Sequence, residues 1–253
     1  MSSRPTRLPT QNRRLRQFGI WNWTLPAWAG RFSDTGQSYN TCPSAGVCSQ
    51  ICYARAGAYL WPAVRHKHEA NLRFVLEDLP GWEHTMTAEL GARRFRDRWV
   101  RIHDAGDFFS DEYTESWLRI MRARPTASFY AYTKEVTRFR RLVVPDPPAN
   151  FWWVFSLGGI HDALLDPEVD RVADVFPTEQ AITAAGWHSQ ATSDLLAVLG
   201  PAPVGMAANR IPTFQKRLDG RRISGWQAEV DERHAARGRR WSTAARGHPP
   251  DQR

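Results

Sequence analysis

Cysteine, lysine and long apolar runs are the scarce features of this 253-residue chain, and each scarcity excludes something. Three cysteines are too few, and odd in number, for the disulfide framework of a small secreted fold. No apolar run approaches the ~20 residues that cross a bilayer, and none follows the N-terminal arginines as a secretory signal requires. The expectation is a cytoplasmic protein with no membrane partner. Lysine occurs only three times against 31 arginines. What is present suffices for a core: 42% of residues are hydrophobic, with 12 Trp, 12 Phe and 6 Tyr, which excludes whole-chain disorder and collagen-like fibres. The length suits a single domain, since α/β barrels of about 200 to 250 residues are routinely one.

The net charge of +8 is unevenly placed. Arg4, Arg7, Arg13, Arg14 and Arg16 give residues 1–16 a charge of +5 with no acid. Residues 221–253 carry eight Arg against Glu229, Asp231, Glu232 and Asp251, and the body between is −1. Blocks of like charge read as solvated, disordered ends, and the same arginines suit docking on phosphate backbones. The expected organisation is a basic disordered arm at 1–17, an α/β body at 18–218, and a basic C-terminal segment at 219–253 that Trp226 and Trp241 anchor in part.

Within the body the pattern alternates. The aromatic run from Phe18 to Trp28 is β-prone until Pro26. Residues 30–59 are rich in small and polar residues and read as a long loop, a length that in compact domains is usually functional. Helical patterns follow at 65–77 and 82–95. Residues 99–109 run as a strand into a Gly-containing turn, and Ser110 with Asp111 and Glu112 marks a helix start. Strands at 128–132, 151–155, 172–176 and 204–208 alternate with helical segments at 135–142 and 178–185, and 189–199 also has a helical pattern. This order predicts βαβ units and a parallel sheet of six strands, short of the eight of a closed barrel.

All three cysteines fall within eleven positions, Thr41-Cys42-Pro-Ser-Ala-Gly-Val-Cys48-Ser-Gln-Ile-Cys52-Tyr53, a C-x5-C-x3-C motif. Core cysteines scatter, so the clustering points to metal. Structural zinc prefers four ligands, and His66 and His68 are the nearest candidates for a fourth. These two sit at i, i+2 and so on different faces of a helix. A four-iron cluster takes one thiolate per iron, so three cysteines leave one iron open to a substrate or cofactor. Unligated thiols are the third alternative.

Leu25-Pro26-Ala27, the block from Thr41 to Ala54, Arg101-Ile102-His103, Gly106-Asp107-Phe108-Phe109-Ser110, Tyr113, Trp117, Pro125 and Phe129-Tyr130-Ala131-Tyr132-Thr133 together resemble the phage gene product 88 family, over roughly residues 18–160. That family in turn is similar to radical S-adenosylmethionine proteins, in which a cysteine loop follows the first strand of a partial (β/α)6 barrel. The cysteine spacing here departs from the C-x3-C-x2-C usual in that superfamily. The resemblance implies a [4Fe-4S] cluster on Cys42, Cys48 and Cys52, S-adenosylmethionine chelating the open iron, and an electron donor such as a flavodoxin or ferredoxin. It implies reductive cleavage to a 5'-deoxyadenosyl radical that takes a hydrogen atom from substrate. In such folds an acidic glycine turn after the second strand binds the cofactor's amino group, which assigns Gly106 and Asp107, with Asp104 a second acid beside them; the alternative for Asp107 is that it only begins the following helix. Polar residues at later strand ends point into the site: Thr133 and Ser156 for ribose or carboxylate, Lys134 for carboxylate, and Asn209-Arg210. Arg101 and His103 alternate on one side of their strand, facing the interior, though a core histidine with its bonds satisfied is the commoner outcome. The other function class is a phage-type nucleic-acid-binding or replication-associated protein with a structural metal site. A replication nuclease wants a His-apolar-His pair, and His66-Lys67-His68 has lysine in the middle.

Overall fold

A computed structural model describes residues 5, 7–208 and 211–245, and the side chains of its last helix as far as 237. The elements in chain order are α1 (Arg13–Arg16), β1 (Trp21–Trp23), β2 (Ala29–Arg31), β3 (Ser38–Asn40), α2 (Pro62–Glu77), α3 (Leu79–Leu90), β4 (Trp99–Ile102), α4 (Asp111–Ala123), β5 (Ser128–Thr133), α5 (Val136–Leu142), β6 (Phe151–Ser156), β7 (Val172–Phe176), α6 (Glu179–Ala184), β8 (His188–Ser189), α7 (Leu196–Leu199), β9 (Val204–Ala207), α8 (Pro212–Leu218) and α9 (Ile223–Ala245). Seven strands form one parallel sheet in the order β1-β4-β5-β6-β7-β9-β8. The predicted six strands thus become seven. The addition is β8, in a stretch whose apolar spacing suggested helix but where only α7 is helical. The sheet is open, with β1 and β8 at its edges. The loop region contains a small antiparallel pair, β2 with β3.

Burial on both faces explains the strand sequences, which are apolar and aromatic almost throughout. Val100, Ile102, Phe129 and Ala131 alternate onto the face covered by α2, α3, α4 and α5. Tyr130, Val154, Ala173 and Val204 point to the other, where Leu15 of α1 and Ala197 and Val198 of α7 meet them. The handedness of parallel crossovers fixes this division. While the sheet advances from β1 to β6 the connecting helices stay on one face, and the backward step from β8 to β9 puts α7 on the opposite one.

Helix α4 shows the local determinants. Ser110 Oγ caps it by accepting from Tyr113 N (3.2 Å), Asp111 and Glu112 sit at its positive end, Arg122 sits at its negative end, and Tyr113, Trp117, Ile120 and Met121 form the buried stripe. Both basic ends pack more closely than like-charge blocks suggest. Leu8 and Leu15 are buried, Thr10 bridges Asn22, and Asn12 Oδ1 caps α1 by accepting from Leu15 N (2.8 Å), so residues 7–17 lie against the body. At the other end Ile223 and Trp226 of α9 pack on Val47, Ile51 and Leu218. The Trp241 side chain lies outside the described residues.

Candidate functional site

The cysteine loop lacks regular strands or long helices, yet partners from several elements hold its backbone. Thr41 Oγ1 donates to Pro26 O (2.5 Å), and Thr41 O accepts from Asp107 N (2.8 Å). Cys42 N donates to Asn40 Oδ1 (3.0 Å) and Ser44 N to Glu135 Oε1 (3.0 Å). Gly46 N and Cys48 N share Gly158 O (3.1 and 3.2 Å), and Val47 N donates to Gln227 Oε1 of α9 (2.7 Å). Short 3-10 turns at Val47–Gln50, Tyr53–Arg55 and Gly57–Leu60 carry the chain onward to α2.

The loop closes over the C-terminal ends of the parallel strands and leaves a cavity of about 370 Å³. Crevices at that end of a parallel sheet are where α/β proteins bind ligands. Cys42, Cys48 and Cys52 all line it, as do Asp104, Gly106, Asp107, Thr133, Lys134 and Ser156. Every described candidate from the strand-end reading therefore meets in one space. Asn209-Arg210 lie outside the described residues. Burial pushes the Cys42 thiol up, with the Asp107 charge adding to it, and pushes Cys52 up to about 11, with Cys48 adding to it.

Asp107 is buried and committed to the fold. Oδ1 accepts from Thr133 Oγ1 (2.7 Å) and Phe108 N (2.8 Å), and Oδ2 from Lys134 N (2.8 Å), so it fastens the turn after β4 to the end of β5. Burial and the nearby Glu135 charge raise its carboxyl to about 7, against these stabilising donors. It does not cap the following helix, which is Ser110's role. Lys134 donates through Nζ to Ser156 Oγ (2.8 Å) and Ser156 O (3.1 Å). Burial acts to lower its pKa, but the charges of Cys48, Asp162 and Asp107 outweigh that and raise it, so the cavity holds an ammonium group on the thiol side. Gly106 has φ +85°, and a Cβ there would meet Leu25 Cβ at 2.8 Å, so only glycine fits without displacement.

The floor of the cavity is a polar network that the sequence reading reached through Arg101 and Asp104. Arg101 Nη1 donates to Asp194 Oδ2 (3.1 Å) and lies 3.5 Å from Asp104 Oδ1, with the guanidinium over the Tyr132 ring. Tyr130 OH donates to Asp194 Oδ2 (2.6 Å), Tyr132 OH reaches Gln190 Oε1 (3.0 Å), and Tyr59 OH donates to Asp104 Oδ2 (2.6 Å). Alternation from Arg101 to Tyr130 and Tyr132 across β4 and β5 was the available signal. Asp194 and Gln190 sit in a stretch read as helix, and nothing local marked them.

His103 departs from the strand pattern. Its φ is +64°, and Nε2 meets Tyr113 OH (2.9 Å), which also accepts from Trp23 Nε1 (2.8 Å). His103 Nδ1 is buried with no hydrogen-bond partner among the described residues. Burial, then the Arg101 charge, lowers this histidine to about 3, so it is a neutral core residue. Neither His66 nor His68 lines the cavity. His68 instead packs on Tyr59, and burial lowers it to about 4. Among the described residues no group of three or more His, Cys, Asp or Glu converges as the ligands of one metal ion do.

The family description "Gene product 88" matches residues 3–242, nearly the whole chain. The chain belongs to the gene product 88 family. Two of its relatives are the Gene 88 protein of Mycobacterium phage L5, 34% identical over 111 residues, and that of Mycobacterium phage D29, 31% identical over 112. Each alignment covers 41% of this chain and 46% of the relative, so the chain spans about half the length of the curated relatives it matches. No solved structure matches. Family membership extends beyond the 18–160 stretch that carries the motifs and takes in α9, which holds the cysteine loop.

Proposed function

We propose that this gene product 88 protein is an iron-sulfur enzyme of radical S-adenosylmethionine type, with a [4Fe-4S] cluster on Cys42, Cys48 and Cys52. The observation that carries the reading is that all three thiols line one cavity at the C-terminal ends of a parallel sheet. The donor chemistry fits: three thiols around a common space suit a polynuclear cluster with one thiolate per iron, whereas a single zinc ion needs four ligands closing on a point, and neither nearby histidine supplies the fourth.

Bound there, the cluster would supply one-electron reductive cleavage of S-adenosylmethionine, the electron coming from a flavodoxin or ferredoxin. The residues of this chain would bind and position. Lys134 places positive charge beside the thiol groups and offsets part of the cost of three thiolates in a partly dry site. Gly106 lets the backbone come close to the cofactor. The Asp104 carboxylate, oriented by Tyr59 and 3.5 Å from Arg101, keeps lone pairs for an amino or ribose hydroxyl group, whereas three donors already occupy the Asp107 oxygens. Ser156 Oγ, held by Lys134, retains an acceptor site toward the cavity.

Anaerobically purified protein is expected to be brown, with about four iron per chain and one open coordination position. Cys48→Ala should lose the colour. Incubation with S-adenosylmethionine and dithionite should release methionine and 5'-deoxyadenosine. Colourless protein carrying one zinc would overturn the cluster, and iron without 5'-deoxyadenosine would overturn the chemistry alone.

A further inference from the structure

One arginine of the N-terminal arm, Arg14, stands in the lining of the cavity. Leu8 and Leu15 are buried, and this anchoring places Asn12 and Arg14 in the cavity lining. The acids that line the same space have their partners: Asp107 with Thr133 and Lys134, Asp104 with Tyr59 and Arg101, Asp194 with Arg101 and Tyr130. Arg101 and Lys134 are likewise engaged. Among the described residues Arg14 is therefore the cation in the lining with no ion pair or hydrogen bond. Arg13 and Arg16 flank it on the same short helix turn, on other sides of α1, exposed and without acidic partners among the described residues. Arg55 stacks 5.0 Å from the ring of Trp28, another lining residue, and has no ion pair among the described residues. Trp61 is 65% exposed two positions after Tyr59, whose hydroxyl reaches the cavity acid Asp104.

We propose that this rim is a binding surface for single-stranded nucleic acid, and that the substrate of the cavity is a nucleotide within such a strand. A small anionic metabolite would engage Arg14 and leave Arg13, Arg16 and Arg55 without a role. A strand uses several separated cations for successive phosphates and exposed aromatic faces for its bases. An unpaired strand is required because a base inside a duplex cannot reach an enclosed site. This names a substrate class for the reading above and rests on it for the chemistry, while the binding itself needs no iron.

The test is fluorescence anisotropy with a labelled fifteen-residue oligothymidylate (an arbitrary length on the order of the ~4–16-nucleotide site sizes of single-strand binders), on the full chain both as purified and after iron chelation. Wild-type protein should bind the single strand at least about tenfold more tightly than the same sequence in a duplex. Arg14→Gln/Arg55→Gln should weaken binding and lower the slope of log K against log salt by about 1.4, at about 0.7 per phosphate contact on single strands. Arg93→Gln/Arg96→Gln, an equal charge change before β4 at the opposite end of the sheet, should leave the slope unchanged. Equal losses in both double variants, or a duplex bound as well as the single strand, would overturn the proposal. Iron content and 5'-deoxyadenosine release measured on the same preparations report on the cluster reading separately.

Discussion

At the scale of single residues, His103 carries a pH dependence with a definite sign. Its folded-state pKa of about 3 lies below the ordinary 6.5. Above pH 6.5 the ring is neutral in both states. As the pH falls below 6.5 the unfolded chain takes up a proton that the folded chain refuses, and by pH 5 this costs about 2 kcal/mol of stability. Asp107 acts in the opposite direction. Its folded value of about 7 is raised, so between pH 7 and 4 the folded state gains the proton first and acidification stabilises it. Comparing wild type with His103→Asn isolates the histidine, because asparagine tolerates φ +64° and does not titrate. Urea midpoints at pH 8 and pH 5 should show the wild type losing about 2 kcal/mol more than the variant; an equal loss would mean that the ring is already solvated in the native state.

At the scale of elements, the contact between the cysteine loop and α9 is the most sensitive. Gly158 has φ +96°, and a Cβ there would overlap Ile223 Cγ2 of α9. Gly158→Ala should cost about 2 to 4 kcal/mol, combining the left-handed conformation with overpacking. Gln227→Ala should cost about 1 to 3 kcal/mol, because the buried Val47 N–H would lose its acceptor. Chemical denaturation measures both, and accelerated alkylation of the three cysteines should accompany each. This contact also shows what could be read from sequence. Strands β4, β5, β6, β7 and β9 were legible because both-face burial makes them short aromatic and aliphatic runs, and α4 because its cap, its charges and its apolar stripe agree. The cysteines were legible from spacing alone, and the strand-end polar residues from the rule that such ends face a site. Gln227, Asp194 and Glu135 were not, since each acts on a segment 60 to 180 residues away, as with Gln227 and Val47, and no local pattern records the partner. The anchored arm was missed because one leucine among three arginines in α1 is outweighed in any charge count, although its burial decides where the arginines lie.

At the scale of the whole molecule, the two basic ends and the cysteine loop form one arrangement around an open sheet. The last helix completes it. Ser224 Oγ donates to Asp174 Oδ2 (2.5 Å) and Ser224 N to Asp174 Oδ1 (3.2 Å), while Gln227 holds Val47 and Ile223 and Trp226 cover Val47 and Ile51. Asp174 is fully buried in β7, so a chain ending at Leu218 would strand a carboxylate in the sheet as well as expose the apolar side of the loop. Each hydrogen bond lost from the buried carboxylate costs about 1.5 to 3 kcal/mol, and the lost apolar contacts of Ile223 and Trp226 add to that. At about 2 to 4 °C per kcal/mol for a chain of this size, the truncated protein should melt at least about 10 °C lower. The cysteines should also respond: in the truncated chain alkylation should run fast at urea concentrations where the sheet is still folded by circular dichroism, and in the intact chain alkylation and unfolding should coincide. Coincidence in both chains would mean that the loop is held from the sheet side alone, through Gly158, Glu135 and Asp107, and that α9 contributes stability without organising the site.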